Sequence, residues 1–171
     1  LAPGQDIDLM VEAFERLLRD AAPAAAEVSI ECRAASPASR VDPDAAAIRL
    51  AREAFAEALA DKAGITRFGS AYVPMDESLA RVCVDLSGRA YLAYAVDLQE
   101  ASIGGFPSSL GEEFWKAFSD HARANLHIDL LTGANAHHSV EAVFKAAARA
   151  LRQACEHDPR VGGIPSTKGV L

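Results

Sequence analysis

Cysteine is scarce in this chain. Cys32, Cys83 and Cys155 are the only ones in 171 residues, odd in number and without CxxC spacing. That argues against a disulfide framework or a zinc knuckle and for buried thiols in a reducing, cytoplasmic setting. Long apolar runs are missing too: none approaches the roughly 20 residues of a bilayer span, so no membrane partner is expected. No signal peptide is visible, and the start at Leu1 rather than Met is what cleavage, trimming or omission of an upstream segment would each leave. Lys and Arg form no block, and the formal net charge is −7, which speaks against nucleic acid as a partner. Aromatic residues make up only 6 %. With few rings and much alanine, helices should pack closely through small side chains. Histidine is absent before position 121.

What is there suits one globular domain, 1–171. Half the residues are hydrophobic and 24 % are charged, enough for a real core at this length. Residues 6–20 read as an amphipathic helix, with Ile7, Met10, Val11, Phe14, Leu17 and Leu18 at helical spacing. Residues 27–32 alternate like a half-buried strand. After a Ser/Pro loop, Asp42 to Asp44 open a helix that runs to about Leu59. Residues 61–69 turn into a strand. Residues 82–86 and 90–96 resemble two strands of a hairpin joined by Ser87-Gly88-Arg89. A helix follows from Leu110 to about Ala124, then a strand over 126–131, a long helix from Ser139 to about Cys155 and a loop-like tail.

The order helix, strand, loop, helix thus occurs twice, over 6–59 and over 110–155. Met10-Val11-Glu12-Ala13-Phe14 even resembles Phe114-Trp115-Lys116-Ala117-Phe118. The expectation is an α+β fold of two duplicated half-domains related by a pseudo-twofold, a first half over 1–60 and a second over 61–171.

The densest chemistry lies in His137-His138-Ser139-Val140-Glu141, with Lys145 one turn further on. On a helix, Glu141 shares a region with both imidazoles, at i+4 from His137 and i+3 from His138. Neutral imidazoles and a carboxylate suit a borderline metal such as Zn or Mn. Adjacent histidines diverge by about 100° on a helix, so the two should serve different ions or different interfaces. The bland alternative is a solvated helix start with two chance histidines. Arg67, Arg89 and the run Ser166-Thr167-Lys168-Gly169 offer phosphate-binding groups. Each alone is more simply a surface residue, and no P-loop surrounds the last. Together with Lys145 they point to a phosphorylated small molecule beside a metal. His127 in its strand reads as a structural histidine, His121 as an outward helix residue, and His157 as a charge at a helix end. No serine-nucleophile spacing and no dinucleotide fingerprint is present.

These residues carry a family resemblance. DKAGITRFG (61–69), PMDESLA (74–80), VDLSGRAYL (84–92), NLHI (125–128), GANAHHSVEAVFKAAARALRQA (133–154) and IPSTKGVL (164–171) resemble imidazoleglycerol-phosphate dehydratase, in the family's order. The resemblance implies a lyase of histidine biosynthesis that dehydrates imidazole glycerol phosphate to imidazole acetol phosphate. It implies Mn²⁺, one or two ions per chain, and a homo-oligomer built from trimers into an octahedral cage. It implies duplicated α+β halves, each a sheet with two helices on one face, of the ribosomal protein S5 domain 2-like type. By motif, His137, His138 and Glu141 match metal ligands, and Glu113 stands where relatives have a further ligand. Arg67, Arg89, Lys145, Ser166 and Lys168 match the substrate-phosphate residues and should converge on one anion, within one chain or across a subunit boundary. Glu141 is also matched to proton transfer, beside Lewis-acid catalysis.

The first 60 residues depart from that pattern. Relatives carry a second HHxxED and an Asp-His-Met there. This chain has Asp8-Leu9-Met10 at one position and only Asp42 and Asp44 near the other. A non-catalytic relative with a binding or assembly role is therefore the competing expectation.

Overall fold

A computed structural model describes Leu59 and residues 61–103 and 106–169 of the chain. The helix and strand expected over 6–32, the helix opening at Asp42–Asp44 and the duplication itself lie outside the described residues. The exception is Leu59, which is helical and buried.

Strand β1 (Phe68–Met75) turns through Asp76 and Glu77 into β2 (Ser78–Asp85). The pairing is antiparallel, from Phe68 opposite Asp85 to Met75 opposite Ser78. Asp76 takes the left-handed φ of 47° that this tight turn requires. β3 (Tyr91–Ala95) follows, and then two short strands, β4 (Ser102–Ile103) and β5 (Phe106–Pro107), pair with each other. Helix α1 (Leu110–Ala122), strand β6 (Asn125–Thr132) and helix α2 (Ala136–Cys155) complete the described order.

The sheet runs β1-β2-β6-β3. β6 is antiparallel to β2 and parallel to β3. The hairpin expected between 82–86 and 90–96 is therefore corrected: both strands exist, but β6 lies between them. The connection over 86–90, with Gly88 at φ 73°, is long enough to step across two strand spacings of about 4.8 Å each. The true hairpin is β1–β2.

One face of the sheet carries Val73, Ala80, Val82, Val84, Leu126 and Ile128, all buried. Both helices cover this face, which gives the α+β arrangement of a sheet with two helices on one side. α1 brings Phe114, Trp115 and Phe118; the Trp115 ring stands 4.9 Å from Phe144 of α2. α2 packs on β1 and β2 with small side chains, Ala142, Ala146, Ala147, Ala150 and Ala154. The α2 backbone lies tightly against β1 at Gly69, where an added Cβ would lie 1.9 Å from the Ala150 carbonyl oxygen. That is how a chain poor in aromatics builds a dense core. The opposite sheet face exposes Phe68, Tyr72, Tyr91 and Leu131.

Candidate functional site

The residues singled out from the sequence gather at two ends of β1. At the Met75 end they sit on the start of α2. Asn135 caps that helix, its side chain accepting the His138 N–H at 3.2 Å. The helix thus begins three residues before Ser139 and takes both histidines into its first turn. His137 Nε2 stands 3.5 Å from Glu141 Oε2, and Glu141 Oε1 pairs with Lys145 Nζ at 2.6 Å. Lys145 Nζ also lies 3.8 Å from Met75 Sδ, which fixes this ladder at the end of β1.

His138 turns away from that ladder. The two imidazole centroids are 6.2 Å apart and their planes are inclined by 62°. His138 Nδ1 meets Glu77 Oε2 at 2.9 Å, and Nε2 is 3.8 Å from Asp76 Oδ2. Glu77 Oε1 accepts the Asn135 N–H at 2.9 Å, the Ala134 N–H at 3.4 Å and the Ser78 hydroxyl at 3.1 Å. The His138 hydrogen bond, with the backbone donors behind it, holds the Glu77 carboxyl down at about 2. The same bond raises the His138 pKa above its ordinary 6.5.

At the other end stands Arg67, in a left-handed backbone conformation with φ 71°. Its N–H donates to Ala154 O at 2.8 Å and its carbonyl accepts from Leu86 N at 3.1 Å. Nε and Nη2 fork onto Asp85 at 2.7 and 3.2 Å, while Nη1 donates to Pro165 O at 2.7 Å. That last bond ties down the tail loop carrying Ser166, half-buried, and Lys168, exposed. Arg89 lies exposed in the β2–β3 turn, which Arg123 braces by donating from Nε to Gly88 O at 3.1 Å. Burial and then the charge of Arg123 lower the pKa of the nearby Lys62. Cations therefore concentrate here, apart from Lys145.

Within one chain the five expected phosphate groups do not meet. β1 has 8 residues, so Lys145 and Arg67 are held roughly 25 Å apart along it at about 3.3 Å per residue. Arg67, Arg89, Ser166 and Lys168 share one end and Lys145 the other. Glu113 is exposed on the first turn of α1 and makes no side-chain bond among the described residues.

The remaining histidines are placed as follows. His127, expected as a structural histidine, is exposed on the outer sheet face, 5.7 Å from the Tyr91 ring. His121 Nδ1 lies 2.9 Å from Ala117 O. His157 bridges backbone to backbone with Ile65.

The donor set suits a borderline metal only in part. His137 with Glu141 offers a nitrogen and an oxygen at the separation of two ligands about 2.1 Å from one ion. Among the described residues no three such side chains gather at one point. A metal held at either pair would need its other ligands from elsewhere. Asp76, Glu77 and Asp85 have no role legible in the sequence alone. PMDESLA and VDLSGR contain them, but only strand register shows what they face.

A family model described as imidazoleglycerol-phosphate dehydratase matches residues 11–151. A relative of that name from Pelobacter propionicus is 57 % identical over 119 residues, 70 % of this chain and 61 % of its own length. Another, from Lacticaseibacillus casei, is 56 % identical over 119 residues, 70 % of this chain and 61 % of its own. The chain thus spans about three-fifths of the length of these curated relatives. Among solved structures, imidazoleglycerol-phosphate dehydratase of Staphylococcus aureus matches with a TM-score of 0.64 and 43 % identity over 67 % of each chain. A second, from Pyrococcus furiosus, matches with a TM-score of 0.71 and 32 % identity, covering 99 % of this chain and 88 % of its own.

Proposed function

This chain belongs to the imidazoleglycerol-phosphate dehydratase family, and from that premise we propose that it dehydrates imidazole glycerol phosphate to imidazole acetol phosphate in histidine biosynthesis. The observation that carries the proposal is the head of α2, where two diverging imidazoles engage two separate carboxylates and an ammonium follows one turn later. His137 with Glu141 and His138 would each hold a Mn²⁺ ion, Glu113 a further contact. When bound, such an ion supplies Lewis-acid polarisation of the substrate's imidazole. Glu141 would also take or return a proton, with Lys145 holding its Oε1 at 2.6 Å. Arg67, Arg89, Ser166 and Lys168 would grip the phosphate of the same substrate, with Lys145 supplied by another copy. The spread of the five groups over both ends of β1 supports a site shared between subunits of a homo-oligomer, trimer-based or a larger cage. The free thiols of Cys83 and Cys155 agree with a cytoplasmic setting. No helix among the described residues is long and apolar enough to cross a membrane.

The test is direct: purified protein with added Mn²⁺ should release imidazole acetol phosphate. One observation favours a second reading, that of a non-catalytic relative: no histidine precedes position 121, so the first half brings no imidazole to any site. One metal or none per chain, together with no product, would select that reading.

The phosphate half of the proposal makes its own prediction. Lys168 is exposed in the tail loop, so Lys168→Ala should leave the unfolding transition in place. Each charge-assisted bond to phosphate is worth about 1.5–3 kcal/mol. Inorganic phosphate should therefore bind roughly 10- to 100-fold more weakly to the variant in a calorimetric titration. Equal affinities remove Lys168 from the site.

A further inference from the structure

The β1–β2 turn carries a residue with no role in the proposal above. Glu77 reaches across the turn to the head of α2, and four donors surround its carboxylate. Oε1 takes the backbone N–H groups of Ala134 and Asn135 and the Ser78 hydroxyl; Oε2 takes His138 Nδ1. The Glu77 backbone joins in, its carbonyl accepting the Thr132 hydroxyl at 3.2 Å. The turn is thereby tied at both main chain and side chain to the loop that launches α2. An ionised carboxylate only accepts, so the proton of a neutral His138 must sit on Nδ1. Nε2 is then a bare lone pair, directed away from Glu77 toward the space beside Asp76.

We propose that Glu77 is a positioning residue: it selects the Nδ1–H tautomer of His138 and aims Nε2 outward as a metal donor. The inference rests on the reading of His138 as a ligand. The physical reason is general. A ligating histidine gains orientation and basicity when its other nitrogen donates to a carboxylate, and losing that partner lowers metal affinity about 10- to 100-fold.

Glu77→Gln tests it sharply, because Oε1 is already committed to two backbone N–H groups that need an acceptor. The amide oxygen stays there and the NH₂ faces His138. Nδ1 must then accept, and the ring flips to the Nε2–H tautomer, which has no lone pair to offer. Ring ¹⁵N shifts of His138 in metal-free protein at alkaline pH should show Nδ1–H in the wild type and Nε2–H in the variant. Titration with Mn²⁺ alone should show a 10- to 100-fold loss in the variant and no further loss from Glu77→Gln in a His138→Ala background. A wild-type ring already protonated on Nε2 overturns the proposal without any variant, as does an unchanged tautomer in a folded Glu77→Gln protein. A flipped ring with unchanged Mn²⁺ affinity leaves Glu77 orienting His138 but overturns the metal role of that histidine.

Discussion

Gly69→Ala should cost about 3 kcal/mol or more of stability, a large share of the roughly 5–15 kcal/mol a domain of this size has. The added Cβ would lie 1.9 Å from the Ala150 oxygen and 2.9 Å from both the Ala150 carbonyl carbon and the Ala154 nitrogen. All three are α2 backbone atoms, so no rotamer change relieves the clash; the helix has to move off the strand. Moving it opens gaps along Ala146, Ala147, Ala150 and Ala154, where dense packing is the gain from using alanine. Gly69→Val should be worse and is expected not to fold. Gly163→Ala is the control, since nothing lies within 4 Å of its added Cβ, and it should be close to neutral. Denaturant unfolding of the three variants checks this. A Gly69→Ala protein within about 1 kcal/mol of wild type would mean that α2 is not seated on β1 as described. The consequence reaches the site, because the head of α2 lies about 20 Å from this contact at 1.5 Å per residue. A tilt at Ala150 swings His137, His138 and Glu141 by a lever of that length.

Local pattern made part of this architecture legible and left part of it hidden. The α+β class, α1 and the body of α2 follow from apolar periodicity, and His137, Glu141 and Lys145 fall on one ladder because helical spacing alone puts them there. The order of the sheet was not legible. A short Ser-Gly-Arg link looks like a hairpin turn whether or not its strands pair. Only β6, which pairs with both β2 and β3, shows that they do not. The real hairpin is not marked in the sequence, because Asp76-Glu77 is a weak turn signal without glycine. Glu77 is hidden for a different reason: its partner His138 lies 61 residues away, and the contact exists only through the β1–β2 register. Arg67 stands out in the sequence as a phosphate-binding candidate, but its fork onto Asp85 depends on Phe68 pairing with Asp85. Within one chain the five residues expected on one anion are divided for a geometric reason: the length of β1 separates Lys145 from the other four, which leaves convergence to a subunit boundary.

Glu141→Gln should lower turnover about 10²- to 10⁴-fold, the range for loss of a positioned acid–base group. Its carboxylate is one-quarter exposed, with Oε1 held by Lys145 at 2.6 Å and Oε2 facing His137 at 3.5 Å. The amide keeps the shape and still accepts from Lys145 through its oxygen. It cannot accept a proton at neutral pH, and it turns an NH₂ donor toward the imidazole where a metal donor was available. Stability should change by less than about 1 kcal/mol, because the Lys145 partner is itself exposed and water screens the pair. Substrate affinity should also hold, since the amide oxygen still accepts from Lys145 and the other groups proposed for the phosphate are untouched. The measurement is imidazole acetol phosphate release at saturating Mn²⁺, for wild type and variant. A fall in kcat and kcat/KM together, with KM steady, places Glu141 in the transition state rather than in substrate binding. A rise in KM alone would make it a binding group. Turnover within threefold of wild type at saturating Mn²⁺ would remove it from the chemistry and leave the proton transfer to a group outside this ladder.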